Sequence, residues 1–166
     1  MEHDDLTYAD VGATADKMPS GYSRIEVARQ VGVGADWFET ARDRILTWDV
    51  QRRAGFRIEE APARVRLGAE VMLSIGVGPL RLPAPVRVVS LVDEPTAVGL
   101  AYGTLAGHPE AGEERTDIRL EADDTVWARV RAFARPHGLL RLGTPLLWPL
   151  QRLMADRYLA ALTRPR

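Results

Sequence analysis

Six strand-patterned stretches follow one another between residues 56 and 133, and no helical period intervenes between any two of them. They fall near Phe56–Glu60, Glu70–Val77, Val86–Asp93, Ala97–Leu105, Glu113–Leu120 and Val126–Phe133. Breakers mark the turns: Gly78-Pro79, Asp93-Glu94-Pro95, Gly107-His108-Pro109 and Asp123-Asp124. Parallel neighbours need a crossover, usually helical, at every step. These stretches therefore pair antiparallel.

The flanks add one strand and two helices. Tyr22–Val31 alternates, with Ser23, Ile25, Val27, Arg29 and Val31 on one parity, and reads as a further strand. After Gly32 and Gly34 the period changes. Trp37, Phe38, Ala41, Ile45 and Trp48 mark one face of a helix running from Ala35 to about Val50, its acids early and its arginines late. Near the other end, Thr144-Pro145 supplies an N-cap and a first helical position. The helix predicted over Thr144–Leu162 carries Leu147, Leu150, Met154, Tyr158 and Ala161 on one face. Its roughly 19 residues span about 28 Å, enough to cross a sheet. The expected fold is α+β, a single domain over residues 1–166. Residues 1–20 form an N-terminal segment, and a curved antiparallel sheet of about seven strands wraps around the long helix at 144–162. A closed barrel would leave that helix's apolar face uncovered.

Composition removes several kinds of chemistry. There is no cysteine, so disulfides, thiolate metal sites and cysteine nucleophiles are excluded. The three histidines, His3, His108 and His137, are not at ligand spacing, and neither a metal nor a cofactor is expected. The net charge of −1 gives no footprint for nucleic acid. No apolar run approaches the ~20 residues of a membrane span. MEHDDLTYAD is acidic where a signal peptide is basic, so a cytoplasmic location is expected. One lysine, Lys17, and no asparagine among many arginines and alanines suggest a GC-rich bacterial genome. Charge is uneven along the chain: Glu110–Asp124 holds seven acids, and Thr125–Arg166 holds eight arginines against Asp156 alone. The simplest account sets the basic tail beside the acidic hairpin.

Strand parity selects the candidate residues. In Glu113–Leu120 the odd positions Glu113, Arg115, Asp117 and Arg119 are all charged, whereas Glu114 shares its face with Thr116, Ile118 and Leu120. Glu114 is therefore expected inside and Glu113 in solvent. A buried carboxyl must pair, protonate or meet a ligand. Glu114 is accordingly a candidate general acid or base, with a structural pair at the strand's end as the plainer alternative. Tyr102 faces inward with Val98, Leu100 and Thr104 and can donate a hydrogen bond to a ligand or to a core partner. His108 belongs to a turn and is expected at an exposed hairpin tip. Only if that tip overhangs a cavity could it move protons with Glu110.

Four residues are candidates for holding a ligand. Arg29 lies inward by parity with Ile25 and Val27, and Ala128, like Ala132, leaves room on an apolar strand face. Trp48 and Tyr158 belong to a set of large helix-borne rings, with Trp37, Phe38 and Trp148, that either line or fill the space between helix and sheet. Ala97, Gly99, Ala101 and Gly103 bare one face of a central strand, and a pocket of about 300 Å³ or more is expected there. Other signals are weaker. Gly32-Val33-Gly34 lacks the remaining glycine and the lysine of a phosphate loop, and no serine sits in a nucleophile elbow. Arg129, Arg131 and Arg135 alternate with Trp127 and Phe133 and are expected to stack on the convex face.

Several motifs are familiar together. They are Leu6-Thr7-Tyr8 with Val11-Gly12-Ala13-Thr14, then Gly21-Tyr22 and Gly32-Val33-Gly34, Pro85-Val86-Arg87-Val88-Val89, and the stretch from Ala101 to Glu114 containing Tyr102-Gly103-Thr104 and Gly107-His108-Pro109-Glu110. Phe133-Ala134-Arg135-Pro136 and Arg157-Tyr158-Leu159 extend the pattern, with Ala134 where many members have serine. On these residues the chain resembles domain-of-unknown-function family 1990, within the START-like helix-grip superfamily of birch pollen allergen. The resemblance implies that fold and an internal cavity for a hydrophobic ligand. It implies no established activity.

Three readings of function follow. In the first, the protein binds a small hydrophobic molecule between the sheet and the C-terminal helix. In the second, it is a general acid–base enzyme of cyclase or hydratase type, with Glu114, Tyr102 and His108 as its actors. In the third, it is a protein-interaction domain whose own side chains fill the cavity.

Overall fold

A computed structural model describes residues 5–77, 80–137 and 147–163. The elements run β1 (Ser23–Val33), α1 (Ala35–Leu46), α2 (Asp49–Arg53), β2 (Arg57–Glu59), β3 (Glu70–Val77), β4 (Leu80–Glu94), β5 (Ala97–Thr104), β6 (Glu110–Leu120), β7 (Thr125–Pro136) and α3 (Leu147–Leu162). All strand pairings are antiparallel. The seven strands form one curved sheet in the order β1-β7-β6-β5-β4-β3-β2, with α3 packed over β1 and β7. The expected cap Thr144-Pro145 and the turn Gly78-Pro79 lie outside the described residues, as does the side chain of Trp148. Among the described residues no helix is long and apolar enough to cross a membrane.

Two of the boundaries that differ from the sequence expectation have a plain local reason. The strand expected from Val86 begins at Leu80, although Pro83 and Pro85 lie within it. Both prolines pair with β3 on one side, and on the other β5 joins β4 from Val86 onward, with the Pro85 carbonyl accepting the Leu105 N–H at 3.0 Å. A missing N–H on an unpaired edge breaks no ladder. The helix expected to reach Val50 breaks at Thr47, and Trp48 adopts a left-handed φ of 65° before α2 begins. That break turns the indole into the core, where Trp48 is fully buried and its Nε1 donates to the Pro62 carbonyl at 3.1 Å.

The core fills the concave side. Leu100 of β5, Ile118 of β6 and Ala128 and Val130 of β7 meet Tyr158, Leu159 and Leu162 of α3 and Phe38 and Ile45 of α1. Side-chain direction along β6 follows parity: Glu114, Thr116 and Ile118 face this side, and Arg115 and Asp117 face away.

The convex side departs from expectation. Glu113 is buried, not solvated. Its carboxylate accepts hydrogen bonds from Tyr8 Oη at 2.8 Å, Gly12 N at 2.6 Å, Thr14 N at 3.1 Å and the Thr14 hydroxyl. Arg131, also buried, donates to the carbonyls of Thr14 and Asp16 at 2.6 and 2.7 Å. The N-terminal segment is thereby strapped over the sheet's outer face. Tyr8 and Tyr22 both pack edge-on against Phe133, and Arg135 lies 5.0 Å over the Tyr22 ring. The bare face of β5 is this outer one. A methyl on Gly103 would collide with Tyr8, and one on Gly99 would crowd Arg115 and Asp117. The missing side chains make room for the strap and for an ion-pair array, not for a ligand pocket. Asp117 in that array meets Arg129 at 3.2 Å, which joins the acidic hairpin to the basic strand after it.

Candidate functional site

A cavity of about 130 Å³ lies between the first half of α3 and the concave face of β3 to β7. Most of its wall is apolar, with Phe56, Leu73, Ala84, Ala132, Ala134 and Met154 as contributors. Its volume is less than half of the 300 Å³ or more expected from sequence. Ala132 and Ala134 help make the space, because β7 carries small residues on the face that α3 covers.

The polar corner of the cavity is built by β5, β6 and α3. Tyr102 donates to Glu114 Oε1 at 2.5 Å, and its Oη lies 2.8 Å from Tyr158 Oη. Either hydroxyl can supply the proton between the two tyrosines, and Tyr158 also reaches Glu114. The register explains the meeting: Tyr102 and Glu114 are directly paired residues of adjacent antiparallel strands. Tyr158 arrives from the helix, its ring stacked on Phe56 with centroids 6.2 Å apart.

A second polar group lies along the same wall. His108 and Glu110 both line the cavity, and His108 Nδ1 accepts the Glu110 backbone N–H at 2.9 Å. The same nitrogen lies 3.0 Å from the Glu110 carbonyl oxygen, so either ring tautomer finds a backbone partner at Glu110. The expectation of an exposed hairpin tip therefore gives way to a half-buried histidine in the cavity wall. The turn folds inward because β6 begins at Glu110, three residues earlier than its charge pattern suggests. The same extension places Glu110 on the Glu114 face, at even parity. A turn-bound reading of Glu110 hides this.

Burial sets the proton affinities. It raises the Glu114 carboxyl to about 7, although hydrogen bonds from Tyr102 and Tyr158 pull the other way. Burial and the nearby Glu114 charge also raise Glu110 to about 7, partly offset by the Gln151 amide. Burial lowers His108 to about 4 despite the Glu110 backbone contact, with His137 adding a small repulsion. Tyr102 and Tyr158 are both pushed well up, first by burial and then by the Glu114 charge. Carboxyls poised near neutrality can take or give a proton at physiological pH.

Among the sequence candidates, Glu114, Tyr102, His108 and Tyr158 thus converge on one cavity. The other three do not line it. Arg29 points to the α3 side, as its parity requires, but it sits at the rim and is exposed, paired with Asp156 at 3.2 Å. Trp48 is a core residue fixed by its Pro62 hydrogen bond. Ala128 is fully buried, paired with Ile118 and Arg29 and four residues along the strand from Ala132. Four strand residues are about 13 Å, which places Ala128 under a different part of the helix. Gln51, overlooked in the sequence, is fully buried beside Tyr102 and offsets part of the rise in its proton affinity. It bears no signal beyond being a polar residue on a short helix.

Comparison with known proteins agrees with this architecture. A START superfamily protein from Mycobacterium smegmatis superposes with a TM-score of 0.60 at 12% identity, covering 86% of this chain and 94% of that one. A norcoclaurine synthase point mutant from Thalictrum flavum, solved in complex with a transition state analogue, gives a TM-score of 0.55 at 10% identity, covering 88% and 97%. These likenesses show the fold. A UPF0548 protein of Deinococcus radiodurans is 40% identical over 79 residues, spanning 47% of this chain and 40% of that relative's length. The family model described as Domain of unknown function (DUF1990) matches residues 7–161, nearly the whole sheet together with α3, and the chain belongs to that family.

Proposed function

We propose that the protein binds a small, largely apolar molecule with one polar end in the cavity beneath α3. The observation that carries this reading is the cavity's make-up: an apolar wall interrupted at the linked Glu114, Tyr102 and Tyr158. Small-molecule sites have this character, with a few placed polar groups in an apolar surround. The volume sets the size of the ligand. An apolar cavity of about 150 Å³ accepts benzene, so a single substituted ring or an aliphatic chain of similar bulk suits this one. The fold neighbour described as a synthase with a transition state analogue supports the reading by analogy of fold alone.

A second reading, general acid–base catalysis on such a ligand, is favoured by one observation. Glu114 and Glu110 both titrate near 7 in the same cavity. Catalysis of a cyclase or hydratase type needs a group of that kind within reach of the reacting atom.

Saturation-transfer NMR with toluene, benzyl alcohol and benzylamine tests the binding reading. At least one should bind the wild type and lose binding in Ala132→Leu, which fills the cavity. If none binds, or if Ala132→Leu binds equally well, the reading is wrong.

A further inference from the structure

We infer that the ligand of this cavity is a cation, a protonated amine on a small apolar body, drawn by the carboxyls of Glu110 and Glu114 in its wall. The inference rests on the binding reading above and adds the charge of the ligand.

The first support is the placement of acids and bases around the cavity. Glu110 and Glu114 share one face of β6, and both line the space. No arginine or lysine does so among the described residues. The arginines of the neighbouring strands are spent elsewhere. Arg115, Arg129 and Arg131 lie on the convex face with Asp117 and Glu26. From α3, Arg152 pairs with Asp156, and Arg157 donates to the Ala54 carbonyl. His108, the nearest base, offers no charge near pH 7, because burial lowers it to about 4.

The second support is contrast. Elsewhere the fold pairs its half-buried acids: Asp117 meets two arginines, and Glu113 meets four hydrogen-bond donors. Among the described residues Glu114 has the hydroxyls of Tyr102 and Tyr158 and Glu110 has the Gln151 amide, but neither has an ion pair. Two carboxylates facing an apolar space are unfavourable alone and strongly favourable around a cation that fits. An ammonium also satisfies the hydrogen-bonding side, since it brings three donors and no acceptor.

Proton exchange should accompany binding. Near pH 7 both carboxyls are partly protonated, and an ammonium close to either would displace its proton. The other polar residues at the cavity are His108 from the turn before β6, Tyr102 and Thr104 from β5, Tyr158 and Gln151 from α3, and Glu113, whose carboxylate turns to the convex face. None of these is a lysine or an arginine, and burial lowers His108 to about 4. The release therefore belongs to the two glutamates.

Isothermal titration at pH 7.5 with benzylamine, benzyl alcohol and benzoate, equal in bulk but different in charge, decides the matter. Benzylamine should bind the wild type about tenfold or more tighter than benzyl alcohol, the margin of a charge-assisted hydrogen bond, and benzoate weakest. Glu110→Gln and Glu114→Gln should each remove most of that margin, read as the ratio of amine to alcohol affinity within the same variant. Runs in two buffers of different ionisation heat should register proton release with the amine only. If benzylamine binds the wild type no better than benzyl alcohol, the cation inference is overturned and the apolar-ligand reading stands. If none of the three binds, both fall. If a glutamine variant loses both ligands, it has lost the cavity, and the wild-type comparison decides alone.

Discussion

Tyr8 Oη donates to Glu113 Oε2 at 2.8 Å, tying residues 105 positions apart across the outer face of the sheet. Glu113 and its neighbour Glu114 are thus adjacent in sequence and opposite in use. One holds the N-terminal segment to the convex face, and the other lines the cavity on the concave face.

The strap should be a large contributor to stability. Glu113→Ala removes the acceptor of four donors and leaves the buried Arg131 facing a loosened segment. At about 1–3 kcal/mol per orphaned buried group, a loss of about 3 kcal/mol or more is expected. Tyr8→Phe should cost about 1–3 kcal/mol, and Gly103→Ala should act like a lost Tyr8 because the new methyl collides with that ring. Urea midpoints measure the cost, and amide exchange over residues 7–15 should quicken in all three variants. Unchanged exchange there would mean that the strap is held by something else.

Stability should fall as pH rises from about 4.5 to 7. In that window the native glutamates at 110 and 114 keep protons that the unfolded chain has released, since folding raises both from 4.5 to about 7. His108 acts in the opposite sense. Lowered from 6.5 to about 4, it stays neutral in the native state while the unfolded histidine takes up a proton. From pH 4.5 to 6.5 the native state therefore holds about one proton more, a slope near −1.4 kcal/mol per pH unit from these three groups. Glu114→Gln should flatten that slope. The wild type should lose at most about 3 kcal/mol relative to the variant between pH 4.5 and 7, less where solvent reaches the carboxyl. Parallel pH profiles for the two proteins would show that Glu114 is not the titrating group.

Two alanines on one strand should behave differently. Ala132 lines the cavity, so Ala132→Leu should be accommodated within about 1–3 kcal/mol while blocking probe binding. Ala128 is fully buried away from the cavity. Ala128→Leu overpacks the sheet–helix contact, and it should destabilise more than Ala132→Leu without competing for the cavity. Thermal melts with and without benzylamine separate the two effects.

Arg29→Ala should be nearly silent. Its ion pair with Asp156 is solvent-exposed on both sides, a contact worth about 0–1 kcal/mol. Asp156 also keeps Arg152 as a partner. A loss of probe affinity in Arg29→Ala would return this residue to the site.

The chain's order of elements, its antiparallel pairing and the inward direction of Tyr102, Glu114, Thr116 and Ile118 were all legible in the sequence. Each depends on a period of two or of 3.6 residues, which is a local property. Local signals also misled where partners decide the outcome. Glu113 reads as a solvated charge, and only the return of residues 8–14 over the sheet buries it. Parity assigns Gly99 and Gly103 to a common face but not to the inside or the outside. The tertiary structure puts that face under the strap and the arginine array, which is why the bare strand makes no pocket. His108 and Glu110 became wall residues because β6 starts at Glu110, which pairs with Pro136 of β7, a contact between residues 26 apart in sequence. The cavity volume is the remainder after strands, helix and rings have packed against one another. A remainder of about 130 Å³ is set by the whole assembly and written in no single segment of the chain.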